Sequence, residues 1–428
     1  MFSLLRNYPQ IQATIASSTV IKCGGVNHQI SKPITHTKRA MSLRQDVLAP
    51  GRHSTKQTFS SKAQQNYFGT RIREISTLER HNGRALMSEE EMSNFMAVYP
   101  DILNELTEIA ERYKSEEAAA WFRKSLEYNL SLTNNKNGLI TVLTYKSLAN
   151  NEELNAENLK LARILGWCFE MMICFILITD DIVDRSTTRR GQICWHHLDG
   201  VGLSAINDAL LIENGLYELL HKHFRHLDCY VDLLELFQQN IFKCICGQTL
   251  DILLTRRNVS TFNMNTYKSL VLNKTSCHFF YLPIFLGLHL AGVRDPEVFK
   301  ESEAIIYDLG NYFQAQNDFL DVFGNPEITG KIGSDIQSNK CSWLAVKCME
   351  HASEEQKAVM AECYGQNDPE KVARVLQVYQ ELNMPSLYAK YEEEKYNRIL
   401  RNIQQTSDAA PKDVLLEVLN QIYVREIK

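Results

Sequence analysis

Strand signals, turn formers, zinc-type cysteine spacing and N-terminal acidic residues are all scarce in this chain, and each scarcity excludes something. Glycine (19) and proline (10) are few for 428 residues, so turns are few and elements long, which favours helices. Strict apolar–polar alternation bounded by turn residues is nearly absent, which argues against a sheet protein. Eleven cysteines are scattered without a single CxxC pair, so zinc ligation is not expected and buried thiols in a reducing compartment are. The apolar run "MMICFILIT" (171–179) is half the ~20 residues that a membrane span needs, with Glu170 and Asp180 at its ends; no integral membrane segment is expected. A net charge of -5 offers no bulk attraction for nucleic acid.

Residues 1–45 lack aspartate and glutamate altogether. They carry Arg6, Lys22, Lys32, Lys38, Arg39 and Arg44 among many Ser and Thr. That composition predicts a transit peptide over 1–45 and hence a mitochondrial location, with cytoplasmic as the alternative. Residues 46–84 read as a disordered linker, and a single domain spans 85–428.

What is present is helical periodicity. Ser88 followed by Glu91 is a capping-box signature. Ile102, Leu103, Leu106 and Ile109 recur at helical spacing. Long segments at 159–184, 206–224, 229–254, 266–292 and 301–324 continue the pattern, and 369–384 and 411–428 close it. The fold class is all-α.

Two acidic patches interrupt this pattern. "DDIVDRSTTRRG" (180–191) ends one mostly apolar helix and "NDFLDVFGNPEITGK" (317–331) ends another. Asp180 and Asp184 lie one turn apart on a shared face, with Asp181 beside them. Two carboxylates at that spacing repel and call for a positive partner. Asn317 and Asp321 repeat the spacing, with Asp318 between. Mg²⁺ held by one or two carboxylates while bridging substrate phosphates is one solution, and Arg189, Arg190, Lys274, Lys331 and Lys340 are placed to grip a diphosphate. A single DxxxD pair is usually a solvated helix face; two of them, each closing an apolar helix and each followed by basic residues, point to a metal–diphosphate site.

The segments "GWCFEMMICFILITDDIVDRSTTRRGQICW" and "FQAQNDFLDVFGNPEITGKIGSDIQSNKCSWL", with "GQTLDILL" and "NKTSCHFFYLP" between them, resemble the signature regions of the farnesyl diphosphate synthase family. The resemblance runs from about Glu127 to the C-terminus. It implies the isoprenoid synthase fold, antiparallel helices around an apolar cavity, and a homodimer. It also implies three Mg²⁺ between the acidic motifs and an allylic diphosphate. By the same resemblance Asp180 and Asp184 bind two metals, while Asn317 and Asp321 flank the third. Arg189, Lys274 and Lys331 contact the diphosphate. Gln248, Asp251, Thr275, Gln314, Asp335 and Lys340 support them. Phe175, with Ile176 in place of a second aromatic, sets the depth of the cavity. His278 stands where the family usually has Tyr.

Departures from the family pattern fall on the second substrate. The family seats isopentenyl diphosphate with a "GGKxxRG" loop, a Gln seven residues before the first acidic motif, and the second Arg after it. Here the loop reads "LTNNKNG" (132–138), with Asn134 for Lys and Asn137 for Arg; Ile173 replaces the Gln, and Arg190 remains. Each charge-assisted bond to phosphate contributes roughly 1.5–3 kcal/mol, so the loss weakens that pocket by several powers of ten. From this asymmetry the expectation is a Mg²⁺-dependent terpene synthase. It would ionise farnesyl diphosphate and cyclise it to a sesquiterpene or its alcohol, similar to the animal terpene synthases of this lineage. The alternative is a chain-elongating prenyltransferase with a rebuilt isopentenyl diphosphate site. A non-catalytic subunit is disfavoured by the intact acidic motifs.

Overall fold

In a computed structural model of the chain, residues 86–133, 135–325 and 333–424 are described; the transit peptide and linker read over 1–84, Asn134 and Lys331 lie outside them. The elements run α1 (Glu89–Met96), α2 (Tyr99–Glu111), α3 (Glu116–Leu130), α4 (Lys136–Leu148), α5 (Ala156–Val183), strands β1 (Thr188–Arg189) and β2 (Gln192–Ile193), α6 (Ala205–Phe224) and α7 (Tyr230–Leu254). Then come α8 (Met264–Val271), a π-helix (Leu272–Tyr281), α9 (Leu282–Leu290) and α10 (Pro296–Phe323). The chain closes with α11 (Trp343–His351), α12 (Glu354–Cys363), α13 (Pro369–Glu381), α14 (Met384–Gln405) and α15 (Lys412–Val424). The architecture is all-α, as expected.

Helix starts follow local chemistry. Ser88, Ser115, Asn155, Asp295, Ser342 and Ser353 each accept a backbone N–H of the first turn. At Ser88 half of the expected capping box forms, because the Glu91 carboxylate leaves the cap to pair with Lys146. The reciprocal box forms instead between Ser353 and Gln356.

Helix α5 is the spine. It packs chiefly between α4 and α6, and its middle, from Ile164 through Phe175, is buried without a break. By length and composition it is apolar enough to cross a membrane, yet 78% of its most apolar stretch is buried inside the protein. Scoring only the nine residues 171–179 understated the helix; burial among neighbours is what marks it as a core element. A second core forms where Phe319 of α10, Trp343 of α11 and Tyr388 of α14 meet Tyr267 of α8.

Two close approaches position the site. A Cβ on Gly138 would lie 2.6 Å from Gly166 O, and one on Gly166 would lie 2.5 Å from Gly138 O. Only glycine at both lets α4 touch α5 there. A Cβ on Gly247 would lie 2.5 Å from Lys274 N, so α7 can press against the π-helix where Lys274 begins its reach.

Candidate active site

The first acidic patch sits at the end of α5, where Asp184 is the C-cap. Both arginines lie past the helix end. The chain reverses in a short antiparallel hairpin, with Thr188 opposite Ile193 and Arg189 opposite Gln192. The turn is made by Arg190 (φ 52°) and Gly191 (φ 78°), the left-handed pair that a tight hairpin requires. This fold-back sends the two arginines to different places. The Arg189 guanidinium donates to Asp181 Oδ1 from Nε at 3.0 Å and to Asp180 Oδ2 from Nη2 at 3.3 Å. Arg190 is exposed and has no ion pair among the described residues.

Cations from two other elements and an amide from a third complete the first patch. Lys274 on the π-helix lies 2.6 Å from Asp251 Oδ2 and 3.5 Å from Asp180 Oδ1. Lys340, in the segment before α11, lies 2.9 Å from Asp251 Oδ2 and 3.2 Å from Asp184 Oδ1. Gln248 donates to Asp180 Oδ1 at 3.0 Å. Burial works to raise the Asp180 pKa, but Lys274, Arg189 and Lys340 together hold it below the usual carboxylate value. Asp251 is likewise buried yet held low by Lys274 and Lys340. In return Lys274 and Lys340 stay protonated despite desolvation.

The second patch ends α10. Gln314 joins the two patches: its Oε1 accepts from Thr275 Oγ1 at 2.8 Å, and its Nε2 donates to Asp318 Oδ1 at 2.8 Å. Asp318 Oδ2 accepts from Tyr267 OH at 2.8 Å and Trp343 N at 2.7 Å. Burial lifts the Asp318 pKa to about 6 against these three donors. Asp321 Oδ2 accepts Ser334 N and Asp335 N at 2.9 and 2.8 Å. Asn317 is half-buried on the same helix.

The donors present suit a hard divalent cation, since every candidate ligand is an oxygen. Asp180 and Asp184 keep 21% and 32% of their side-chain surface exposed, whereas Asp181 keeps 6% and Asp318 is a 4%-exposed residue with both oxygens engaged. Among the described residues no group of three or more His, Cys, Asp or Glu can hold an ion unaided. That fits Mg²⁺, which takes one or two carboxylates and completes its shell with water and substrate phosphate.

Further back along α5, Glu170 accepts Gly138 N at 2.7 Å and is bonded by Thr133 and the backbone of Asn135. This ties the start of α4 to α5, in which Ile173 is also buried. Arg190 acts electrostatically on Glu170. The start of α4 and Arg190 thus both act on Glu170, while Lys274 and Lys340 serve Asp180, Asp184 and Asp251. Phe175 is buried in the core and Ile176 half-buried. Sequence reading missed the hairpin and Glu170. Gly138 and Gly166, glycines inside helical stretches, were the signal for the second.

With this geometry in view, the comparisons with known proteins are decisive. The polyprenyl synthetase family model matches residues 119–382. The chain belongs to the polyprenyl synthetase family. It is 42% identical over 340 residues to a farnesyl pyrophosphate synthase of Rattus norvegicus, covering 78% of this chain and 96% of the relative. It is 40% identical to the enzyme of that name from Homo sapiens, with 78% and 81% covered. It is 39% identical to the one from Murgantia histrionica, with 79% and 84% covered. The family is Mg²⁺-dependent and its farnesyl pyrophosphate synthases are generally homodimers.

These relatives overturn the cyclisation reading. Relatives that cover most of this chain at about 40% identity are named for prenyl-chain synthesis, which favours a transferase over a lyase that releases a sesquiterpene. The physical error lay in equating a weakened pocket with an absent one. Removing phosphate donors raises the concentration at which a co-substrate binds; it leaves the ionising machinery and the remaining cation, Arg190, in place.

Proposed function

We propose that this chain is a chain-elongating prenyltransferase that condenses isopentenyl diphosphate with an allylic diphosphate, making farnesyl diphosphate. The observation that carries the proposal is the cluster in which Arg189, Lys274 and Lys340 converge on Asp180, Asp184 and Asp251. Such a cluster is a cationic seat for a diphosphate with carboxylates at hand to bring Mg²⁺. The names of the relatives support the reading.

Asp180, Asp184, Asn317 and Asp321 would hold the metal, with three ions when substrate is bound. Bound Mg²⁺ would supply Lewis-acid neutralisation of the departing diphosphate. Arg189, Lys274 and Lys340 draw charge onto the same leaving group, and Lys331 would join them. The allylic C1–O bond breaks and its electron pair leaves with diphosphate. The isopentenyl double bond attacks C1, and a proton then passes to the released diphosphate as a new double bond forms. Asp318, Gln314 and Thr275 orient this machinery from beneath. Arg190 is the group left to hold isopentenyl diphosphate, so the affinity for that substrate is expected to be low.

A homodimer is part of the proposal. The outward faces of α6 and α7 leave Ile206, Leu210, Val231, Phe242 and Ile245 exposed, Phe242 by 71%, an apolar surface of the kind that a second copy covers. A mitochondrial location rests on the acid-free N-terminus alone, and import of a fluorescent fusion of residues 1–45 tests it.

Incubation with geranyl diphosphate, isopentenyl diphosphate and Mg²⁺ tests the reaction. Farnesyl diphosphate as product, dependent on both substrates, supports it. Absence of any carbon–carbon product at millimolar isopentenyl diphosphate would overturn it.

A further inference from the structure

One ionisable side chain beside the cluster is not used by the machinery above. His278 is 4% exposed, and its buried Nδ1 has no hydrogen-bond partner among the described residues. A buried polar group without a partner costs stability, and it persists in native structures where a ligand or a reaction takes it up.

Its position says which ligand. His278 lies in the ten-residue π-helix Leu272–Tyr281 that also carries Lys274 and Thr275. Wider helical turns of this kind recur at functional sites. Lys274 and His278 are four residues apart, so they share one face, with His278 a turn further into the bundle. One turn back on that face, Lys274 lies 3.5 Å from Asp180 and 2.6 Å from Asp251, so His278 sits one turn from the diphosphate seat. On its inner side the ring packs on Phe279, centroids 4.3 Å apart, and Phe279 packs on Phe313 at 5.7 Å. His278 therefore stands at the boundary between the charged mouth and the aromatic wall. The ester oxygen, the atom bonded to C1, is where a prenyl diphosphate changes from charged to apolar, so a diphosphate seated on Lys274 and Arg189 would bring it toward that boundary.

The charge state of the ring fits a donor and not a cation. Burial, helped by Lys274, pushes the His278 pKa down to about 3, so the imidazole is neutral in the physiological range and carries one N–H. The ring is in no hydrogen bond among the described residues, so in either tautomer that N–H is left for a ligand.

We propose that His278 is a catalytic residue that donates its N–H to the ester oxygen of the bound allylic diphosphate. Negative charge grows on that oxygen as the C1–O bond breaks, and a donor fixed in a dry site stabilises it most at that moment. The ring gives up no proton and gains none; the electron pair leaves with diphosphate as before. This inference rests on the prenyl-transfer reading of the same site.

Phe and Tyr at position 278 share a shape and differ by one donor, which makes the test. In the full chain with geranyl diphosphate, isopentenyl diphosphate and Mg²⁺, His278→Phe is expected to lower kcat by about 100-fold. The KM for geranyl diphosphate should stay within about 3-fold, as a bond strengthened only in the transition state predicts. His278→Tyr is expected to recover most of the loss. An unchanged kcat in the Phe variant, or equal losses in Phe and Tyr, would overturn the role. A second readout needs no turnover. Imidazole ¹⁵N–¹H spectra of the parent chain are recorded with Mg²⁺ and 2-fluorogeranyl diphosphate, which keeps the ester oxygen and ionises slowly. The His278 N–H should move downfield on binding; a resonance that stays in place refutes the contact. If the parent makes no condensation product the prenyl-transfer reading fails, while the spectra still decide whether His278 meets the diphosphate.

Discussion

Two stretches of α5 are provisioned very differently. On the allylic side three cations from three separate elements share four carboxylates, and nearly every charged atom has a partner within 3.5 Å. On the loop side one buried carboxylate, Glu170, caps the start of α4, Ile173 lines the wall, and Arg190 is the cation on hand. The difference teaches that the two substrates of a condensation need not be gripped equally. Ionising an allylic diphosphate requires charge placed to stabilise the transition state, and losing it abolishes turnover. Seating the second substrate requires mainly ground-state affinity, which concentration can replace.

Four sets of changes break or sharpen that contrast. The largest effect is expected from Asp180→Ala, which removes a carboxylate shared by Arg189, Lys274 and Gln248. Steady-state turnover should fall by more than about 10³-fold, and a loss under tenfold would contradict the metal role. Next comes Arg190→Ala. Losing one charge-assisted contact of roughly 1.5–3 kcal/mol should raise the isopentenyl diphosphate KM by about 10–100-fold. The geranyl diphosphate KM should hardly move, and a shift of both together would show that the hairpin does not separate the arginines. The combined change Asn134→Lys, Asn137→Arg and Ile173→Gln runs the other way. It should lower the isopentenyl diphosphate KM by about tenfold or more, read in the same assay; no improvement would mean that the loop does not face that substrate.

The smallest effect concerns Glu170. Burial raises its pKa against the bonds from Gly138 and Thr133. Glu170→Gln keeps an oxygen for Gly138 N and should change stability by less than about 1 kcal/mol near pH 5, whereas Glu170→Leu strands that N–H and costs about 1–3 kcal/mol. The folded carboxyl holds its proton more tightly than the unfolded one. Parent stability therefore declines as pH climbs from the ordinary carboxylate range through the raised folded value. The Gln variant lacks that slope, so urea titrations at rising pH should favour it progressively.

Much of this was legible in the residues. Apolar positions at helical spacing gave α2, α5, α6, α7 and α10 to within a few residues, because a helix is a local object. The acidic patches were equally plain, since carboxylates ending an apolar helix contradict their surroundings. Helices α3, α4, α11, α12 and α14 were passed over: α4 is buried on every side over 138–145 and shows no stripe, whereas α14 is amphipathic and its stripe went unread. The two-residue strands β1 and β2 were too short to leave an alternation. Reading the altered loop as loss of a reaction, instead of loss of affinity, was an error of inference and not of observation.

By itself the sequence determined the helices, their starts at Ser, Asn and Asp caps, and the oxygen-rich motifs, all set by residues within a turn or two of one another. Only the tertiary structure decided which cation serves which carboxylate. Lys340 meets Asp184 across 156 residues of chain, and Arg189 meets Asp181 only because a left-handed Arg190–Gly191 turn reverses the backbone. Charge has no periodicity, so its pairing is fixed by packing: two glycines let α4 touch α5, another lets α7 reach the π-helix, and the electrostatics follow from those approaches.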